Sequence, residues 1–278
     1  CAASALPGVA RIPAGRRFRS VPVADGPAAT IGRMEHRPVS AATSARAAEA
    51  RGVPPVVVLI SGRGSNLRSL VAARDAGRLA CDFAGVVSNR PDAAGLAWAQ
   101  GQGIPTRCLD HRDFAVRAEF DAALAETVQG LAADAAPWVV LAGFMRILGE
   151  AFVDRHAGRI VNIHPSLLPL YPGLHTHRQA LADGALIHGA TVHLVTSRLD
   201  HGPVVAQAIV PVQSADTEST LADRVLEMEH RLYPLALQWL VAGRISVAGG
   251  RALLDGGENH AARVLRHPLL HAAPDQSG

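Results

Sequence analysis

"VVVLISGRGSNLRSLVAARDA" (residues 56–76) contains the first strand, turn and helix that the sequence predicts. The run is continuously apolar from Val56 to Ile60, which is typical of a strand buried on both faces, and the predicted strand ends at Ser61. A glycine-containing turn follows. From Asn66 to about Ala76, apolar residues then recur at helical spacing. This order predicts a β-α unit of a parallel sheet.

The same alternation of strands and helices continues along the chain. Further strands are predicted at 83–88, 106–109, 138–143, 159–163, 189–196 and 203–212, and further helices at 93–102, 116–131, 148–156 and 219–241. Asp216 or Thr217 suits the N-cap of the last helix, and a hairpin is predicted at 244–257. The pattern predicts an α/β fold with an open, mostly parallel, Rossmann-like sheet and helices on both faces.

Composition divides the chain into three parts. Residues 1–52 hold eight Arg against three acidic residues and lack a sustained period, which indicates a disordered leader or extension. Such a segment resembles an organellar transit peptide, or is upstream sequence if the chain starts at Met34. The folded domain is expected at 53–257, and a frayed tail at 258–278.

Several classes of protein are disfavoured by composition. The longest apolar runs are far shorter than the roughly 20 residues of a membrane helix. Residues 53–278 carry 19 basic and 21 acidic residues, a net charge of −2, which does not suit a nucleic-acid binder. Three widely spaced cysteines indicate a reducing compartment. We therefore expect a cytoplasmic protein, with an organellar location as the alternative if the leader is a transit peptide.

The turn after the first strand has the residues of an anion site. Gly62, Gly64, Ser65 and Asn66 stand where backbone N–H groups and a helix N-terminus can face a phosphate. As a dinucleotide-binding fingerprint the turn fails, because Leu67 replaces the third glycine and no acidic residue ends the second strand. A small phosphate cradle and an ordinary tight turn both remain open.

A polar run follows the predicted strand at 159–163. Asn162 and His164 are two residues apart in an extended segment, so their side chains leave on the same face. The carboxyl end of a strand in an open α/β sheet is where such folds bind ligands. An amide can stabilise a developing oxyanion and a histidine can move a proton near neutral pH, although a structural histidine remains an alternative.

Two further readings concern the polar residues around this run. Asp200 is the carboxylate of the loop "SRLDHGP" and is either a turn residue or the partner of a histidine. A metal site is not favoured, because the nearby histidines do not form the helical pair with a glutamate that marks a zinc hydrolase. These histidines are His164, His175, His177, His188, His193 and His201.

Six segments together resemble the phosphoribosylglycinamide formyltransferases, folate-dependent enzymes of purine synthesis, over about residues 55–245. The segments are "VVLISGRGSNLRSL", "VVSNRPDAAGL", "VVLAGFMRIL", "VNIHPSLLPLYPGLHTHRQAL", "HGATVHLVTSRLDHGPVVAQ" and "VLEMEHRLYP". The resemblance implies the formyltransferase fold and transfer of the formyl group of 10-formyltetrahydrofolate to the amine of glycinamide ribonucleotide. It also implies small-molecule substrates, no metal, no nucleic acid, no membrane, and a monomer or homodimer.

The resemblance also implies roles for individual residues. Asn162, His164 and Asp200 are the implied catalytic residues, with His193 beside the formyl group. Gly64, Ser65, Asn66 and Arg117 are implied to bind the phosphate of the nucleotide, and Glu229 its amine. Met145, Arg146, Ile147 and Leu148 are implied to line the folate pocket. In the formyl transfer that the resemblance implies, Asp200 pairs with the imidazolium of His164. Asp200 also orders a water that carries the amine proton to the departing folate nitrogen.

Three rival functions make different demands on the sequence. A methionyl-tRNA formyltransferase is expected to need a further domain, and fewer than forty residues follow Val241. A formyltetrahydrofolate deformylase is expected to carry an amino-terminal regulatory domain, for which residues 1–52 are short and poorly patterned. A nucleotide-binding module without catalysis would need the glycine-rich turn alone.

Overall fold

The computed structural model describes residues 52–133, 135–257 and 260–270. The leader predicted at 1–52 lies outside these residues except for Gly52. Strands are β1 (Pro55–Ile60), β2 (Asp82–Ser88), β3 (Thr106–Cys108), β4 (Trp138–Leu141), β5 (Ile160–His164), β6 (Ile187–Leu194), β7 (Val204–Pro211), β8 (Ile245–Ala248), β9 (Arg251–Leu254) and β10 (Val264–Arg266). Helices are α1 (Ser65–Asp75), α2 (Ala94–Gly101), α3 (Arg117–Leu131), α4 (Glu150–Arg155), α5 (Thr176–Ala182) and α6 (Glu218–Val241).

The central sheet has eight strands in the order β10-β7-β6-β5-β4-β1-β2-β3. The strands β5, β4, β1, β2 and β3 are parallel to one another, whereas β6 is antiparallel to both β5 and β7. Strands β8 and β9 form the predicted hairpin. The mostly parallel α/β sheet that the sequence predicts is therefore confirmed.

Helices cover both faces of the sheet because successive strand residues point in opposite directions. In β1, Val56, Val58 and Ile60 pack in a core with apolar residues of α1, α2 and α6. Val57 and Leu59 pack in a second core with residues of α3 and α4. The run of apolar residues in β1 thus fills two cores, and this arrangement leaves the carboxyl ends of the parallel strands at one edge.

The long helix α6 is fixed at its start and at its centre. Of the two N-caps expected, Thr217 is the one observed, and it forms a capping box with Thr220. Near the centre, the buried hydroxyl of Tyr233 donates to the carbonyls of Leu141 and Val161, at 2.9 and 3.1 Å. The helix is therefore tied to β4 and β5, the two strands whose ends carry the polar residues.

The prediction that residues 258–278 are frayed is wrong for the part that the structure describes. Val264–Arg266 forms β10 and pairs in parallel with β7. The buried guanidinium of Arg263 anchors this segment, because it donates to the carbonyls of Val205 and Ala252 at 2.8 and 2.6 Å and also to that of Val204. Because the partners of Arg263 are backbone carbonyls, which every residue has, this three-residue strand could not be predicted from the sequence. Residues 258–259 and 271–278 lie outside the described part.

None of the described helices combines the length and the apolar character that a membrane span requires.

Candidate active site

A cleft of about 520 Å³ opens where β4 and β5 end. Its walls are formed by the loop that follows β4, the polar run after β5 and the loop that follows β6. The lining includes eight residues that the sequence or the resemblance singled out: Met145, Arg146, Ile147, Leu148, Asn162, His164, His193 and Asp200. The fold therefore brings the predicted catalytic residues and the predicted folate-pocket residues into one cavity.

The imidazole of His164 lies between two oxygen acceptors. Its Nε2 atom is 2.8 Å from the carbonyl oxygen of Tyr171, so Nε2 carries a proton and donates it. Its Nδ1 atom is 3.6 Å from Oδ2 of Asp200, which is ion-pair distance. Both side chains are less than one-tenth exposed. The imidazolium form satisfies both contacts at once, whereas a neutral ring would turn a lone pair toward the carboxylate.

The carboxylate of Asp200 is itself held in place by backbone. Its Oδ2 atom accepts a hydrogen bond from the amide of Gly173 at 2.8 Å. Asp200 has a φ of 52°, in the left-handed region, which aspartate enters more readily than most residues. The segment 171–173 thus contacts His164 through a carbonyl and Asp200 through an amide, and it fixes the two side chains relative to each other.

Asn162 and His193 face each other across β5 and β6. They are partners in the antiparallel register, and Nδ2 of Asn162 is 3.2 Å from Nε2 of His193. Burial lowers the pKa of His193, so its ring is neutral near pH 7. Because Nδ1 of His193 contacts the carbonyl of Leu194 at 3.0 Å, Nδ1 is the donor and Nε2 accepts from the amide. Within the part of the chain that the structure describes, the second N–H of Asn162 has no hydrogen-bond partner, so a ligand can accept from it.

The glycine-rich turn follows a backbone path that a side chain would block, as the sequence predicts. Gly64 has a φ of 73°, and a Cβ atom there would lie 3.1 Å from the Cα atom of Gly95. Ser65 is the first residue of α1, so the amide groups of this turn open toward solvent at the N-terminus of an eleven-residue helix. The turn joins the cleft, since the amide of Ser61 donates to the carbonyl of Gly143 at 3.1 Å.

Asn66 and Glu229 are brought together in the interior. The Nδ2 atom of Asn66 donates to Oε2 of Glu229 at 2.7 Å, and both residues are 7% exposed. Burial raises the pKa of Glu229 to about 7, although the Asn66 hydrogen bond opposes this rise. The side chain of Asn66 thus reaches the carboxyl group, and only its backbone remains at the turn.

Arg117 lies apart from the glycine-rich turn. Its Nε atom is 3.5 Å from Oδ2 of Asp121, and the same oxygen accepts the amide of Gly149 at 2.8 Å. Within the described residues, no hydrogen bond or ion pair connects Arg117 to residues 62–66. The contacts of Arg117 therefore belong to the end of the loop 145–148.

Several contributions to the site were not predicted from the sequence. The carbonyl of Tyr171 and the amide of Gly173 act through the backbone, which leaves no side-chain signal. Helix α5 was not predicted from the sequence. The start of this helix and the residues just before it line the cleft with Leu174, His175, Thr176 and His177. The proline and glycine residues between 165 and 173 were the available sign that this loop has a fixed path.

His177, a half-buried residue of the cleft lining, packs against the buried His188. The rings of His177 and His188 are 5.2 Å apart, and the ring of Tyr171 is 5.8 Å from that of His188. Burial, followed by the charge of His177, lowers the pKa of His188 to about 4. This pair is therefore neutral near pH 7. Among the described residues, no group of three or more His, Cys, Asp or Glu side chains is arranged to hold a metal ion.

Comparison with known proteins places this site in a family. The family model described as formyl transferase matches residues 55–237. The chain is 48% identical over 201 residues to the phosphoribosylglycinamide formyltransferase of Escherichia coli (strain K12), an alignment that covers 72% of this chain and 93% of that protein.

Solved structures give the same result. The phosphoribosylglycinamide formyltransferase of Coxiella burnetii matches with a TM-score of 0.71 and 44% identity, over 77% of this chain and 99% of that one. A formyltetrahydrofolate deformylase from Pseudomonas syringae pv. tomato matches with a TM-score of 0.67 but 26% identity, over 73% of this chain and 66% of that one. The chain belongs to the formyl transferase family, and within it to the phosphoribosylglycinamide formyltransferases.

Proposed function

We propose that this protein transfers the formyl group of 10-formyltetrahydrofolate to the amine of glycinamide ribonucleotide, a step of purine biosynthesis. One observation carries the proposal: His164 lies between a carbonyl and a carboxylate at the mouth of a cleft that also holds Asn162 and His193. Acyl transfer to an amine uses a group that transfers protons and a donor that stabilises the developing oxyanion. The imidazole and the free amide N–H can serve these two functions.

The cleft suits a folate. Its volume of about 520 Å³ lies in the usual range for small-molecule sites, and Phe144, Ile147, Leu148 and Val195 give it an apolar wall that suits a flat ring system. Backbone groups of the loop 145–148 would supply hydrogen bonds to a folate at its edge. We place the folate against this loop, with Thr196, Ser197 and Leu199 on the opposite side. The bound folate supplies the formyl carbon.

The nucleotide is assigned to the neighbouring turn. Gly64, Ser65 and Asn66 would hold its phosphate through backbone amides at the N-terminus of α1. Glu229 lies next to Asn66, and its carboxyl group would bind the amine end of the nucleotide. Because the turn and the cleft adjoin at Ser61, an amine held there would lie near the formyl group.

Four residues have separate roles in the proposed formyl transfer. As the amine attacks, negative charge grows on the formyl oxygen, and the N–H of Asn162 and the imidazolium of His164 stabilise it. Asp200 lies 3.6 Å from the ring of His164 and would pair with positive charge on it. The carboxylate also accepts a proton or orders a water on the path from the amine to the folate nitrogen that leaves. Neutral His193 orients the amide of Asn162.

We assign Arg117 to the folate side of the site, and not to the phosphate as the resemblance implied. Its guanidinium contacts Asp121, and that carboxylate holds the amide of Gly149, the residue after Leu148. The side chain is 46% exposed, so the cation is available to an acidic group at the outer end of the cleft. Acidic groups on the folate are the ligands that this position favours.

The activity is tested by mixing the purified protein with 10-formyltetrahydrofolate and either glycinamide ribonucleotide or buffer. Release of tetrahydrofolate is followed by absorbance. Release that requires the nucleotide supports the proposal. Equal release in buffer would identify a deformylase, and tight nucleotide binding with no release would identify a binding module. His164→Asn, purified in parallel, should lose the activity, and this control excludes an enzyme carried over from the expression host.

The remaining features of the proposal concern the setting of the enzyme. We propose that its partners are these small molecules, that it acts as a monomer or homodimer, and that it is cytoplasmic. Sedimentation equilibrium distinguishes the two assembly states, and fractionation of the source cells with an antibody distinguishes the cytoplasm from an organelle.

A further inference from the structure

The hydroxyl of Ser61 joins the turn assigned to phosphate to the loop assigned to folate. We propose that Ser61 is a positioning residue that holds the loop 145–148 in the conformation that binds folate. The inference rests on the proposed function, because it assigns a purpose to the position of that loop. Neither the sequence analysis nor the family resemblance gave Ser61 a role.

Three hydrogen bonds surround Ser61 at the end of β1. Its Oγ atom donates to Oδ1 of Asn89 at 2.5 Å and accepts from the amide of Met145 at 2.7 Å. Its own amide donates to the carbonyl of Gly143 at 3.1 Å. Ser61 and Asn89 are 7% and 2% exposed, so water has little access to the two side chains. One hydroxyl group thus connects two segments: it donates to the residue after β2 and accepts from the loop after β4.

The start of the loop 145–148 is held mainly by its backbone. Met145 and Ile147 are 67% and 59% exposed, so these two side chains contribute little packing that would fix the loop. At the end of the loop, by contrast, Leu148 is buried in the second core and Asp121 accepts the next amide. At the start, Ser61 accepts the amide of Met145. The position of Met145 therefore depends on the Ser61 anchor.

Ser61 also begins the turn assigned to phosphate. The next residue, Gly62, accepts the amide of Gly95 at 3.0 Å, and α1 starts three residues later. The turn is thus fixed independently of the loop. Loss of the Ser61 hydroxyl would release the loop while the turn stays in place. This asymmetry distinguishes a positioning role from a general contribution to folding.

Removal of the hydroxyl has a defined physical consequence. In Ser61→Ala the amide of Met145 and the side-chain oxygen of Asn89 both lose a partner. An unsatisfied buried group shifts a local equilibrium by about 10-fold or more. Because Met145 is exposed, water can solvate its freed amide, so we expect a mobile loop in a folded domain.

Two measurements test the proposal, with Ser88→Ala as the matched control. Ser88 is the last residue of β2 and Ser61 directly follows β1, and both are buried, but within the described residues the Ser88 hydroxyl forms hydrogen bonds only with the backbone of Arg90. In Ser61→Ala, hydrogen exchange at the Met145 amide should be about 10-fold faster or more, and the KM for 10-formyltetrahydrofolate should rise about 10-fold. The kcat and the KM for the nucleotide should change less than about 3-fold. Ser88→Ala should leave exchange at Met145 unchanged.

The outcomes separate this inference from the proposed function. Hydrogen exchange needs no activity, so it tests the anchor even if the protein transfers no formyl group. Exchange at Met145 that is the same in Ser61→Ala and Ser88→Ala would overturn the inference, as would equal rises in both KM values. If Ser61→Ala does not fold, Ser61→Cys replaces it with the same expectations, because a thiol keeps the volume and weakens both hydrogen bonds.

Discussion

The buried carboxyl group of Glu229 should make the stability of the protein depend on pH. Burial raises its pKa from 4.5 to about 7. Each pKa unit corresponds to about 1.4 kcal/mol, so the shift is worth about 3 kcal/mol. A raised pKa means that the folded state favours the protonated form. The contribution to stability is therefore complete below pH 4.5 and is lost as the pH rises through 7, mostly between pH 5 and 8.

Glu229→Gln should remove this loss, because an amide is neutral at every pH and can still accept from Asn66. The assay is urea unfolding at intervals from pH 5 to 8.5. We expect the two proteins to have similar free energies of unfolding at pH 5, and Glu229→Gln to be more stable by about 3 kcal/mol at pH 8. Asp223→Asn is the matched control, since it changes an exposed carboxylate on the same helix. Parallel pH profiles for the wild type and Glu229→Gln would refute the argument that Glu229 is buried in its neutral form.

The remaining predictions concern the catalytic pair, the turn and the core. Asp200→Asn removes the charge beside His164 but keeps the size, so steady-state kinetics should show kcat reduced at least about 100-fold with nucleotide affinity nearly unchanged; near-normal turnover would make Asp200 a turn residue only. Gly64→Ala places a Cβ atom 3.1 Å from Gly95 at a positive φ, so the KM for the nucleotide should rise far more than that for folate, and equal rises would contradict the phosphate assignment. Tyr233→Phe leaves two strand carbonyls without their donor, so thermal unfolding should show a loss of about 1–3 kcal/mol, and an unchanged midpoint would argue against those bonds.

The sheet was predictable because its information is carried by side chains in a regular period. The apolar run in β1 is long enough to indicate burial on both faces, and the helical spacing from Asn66 onward marks α1. Strand β10 was missed because three residues are too few to show a period and because Arg263 anchors it through backbone carbonyls. Helix α5 has only seven residues and follows a run of prolines and glycines, so its helical period is equally short.

The active site divides in the same way. Asn162 and His164 were predicted from alternation along one strand, and the structure places both in the cleft. The carbonyl of Tyr171 and the amide of Gly173 were not predicted, because every residue except proline carries both groups. The contact between Asn66 and Glu229 joins residues 163 positions apart, and no local pattern reveals such a pair. Arg117 was assigned to the phosphate because of the family resemblance, whereas its neighbours could be identified only from the fold.

The pairing of β5 with β6 determines how easily this protein can be redesigned. Asn162 lies opposite His193, and His164 lies opposite Thr191, so the register of two strands fixes the relative positions of these groups. A slip of one residue would turn each side chain to the other face of the sheet. The loop 145–148 contains none of these residues and takes no part in this strand pairing. A protein engineer can therefore exchange the loop 145–148 to accept a different formyl donor, and leave the reactive groups on a frame that the exchange does not disturb.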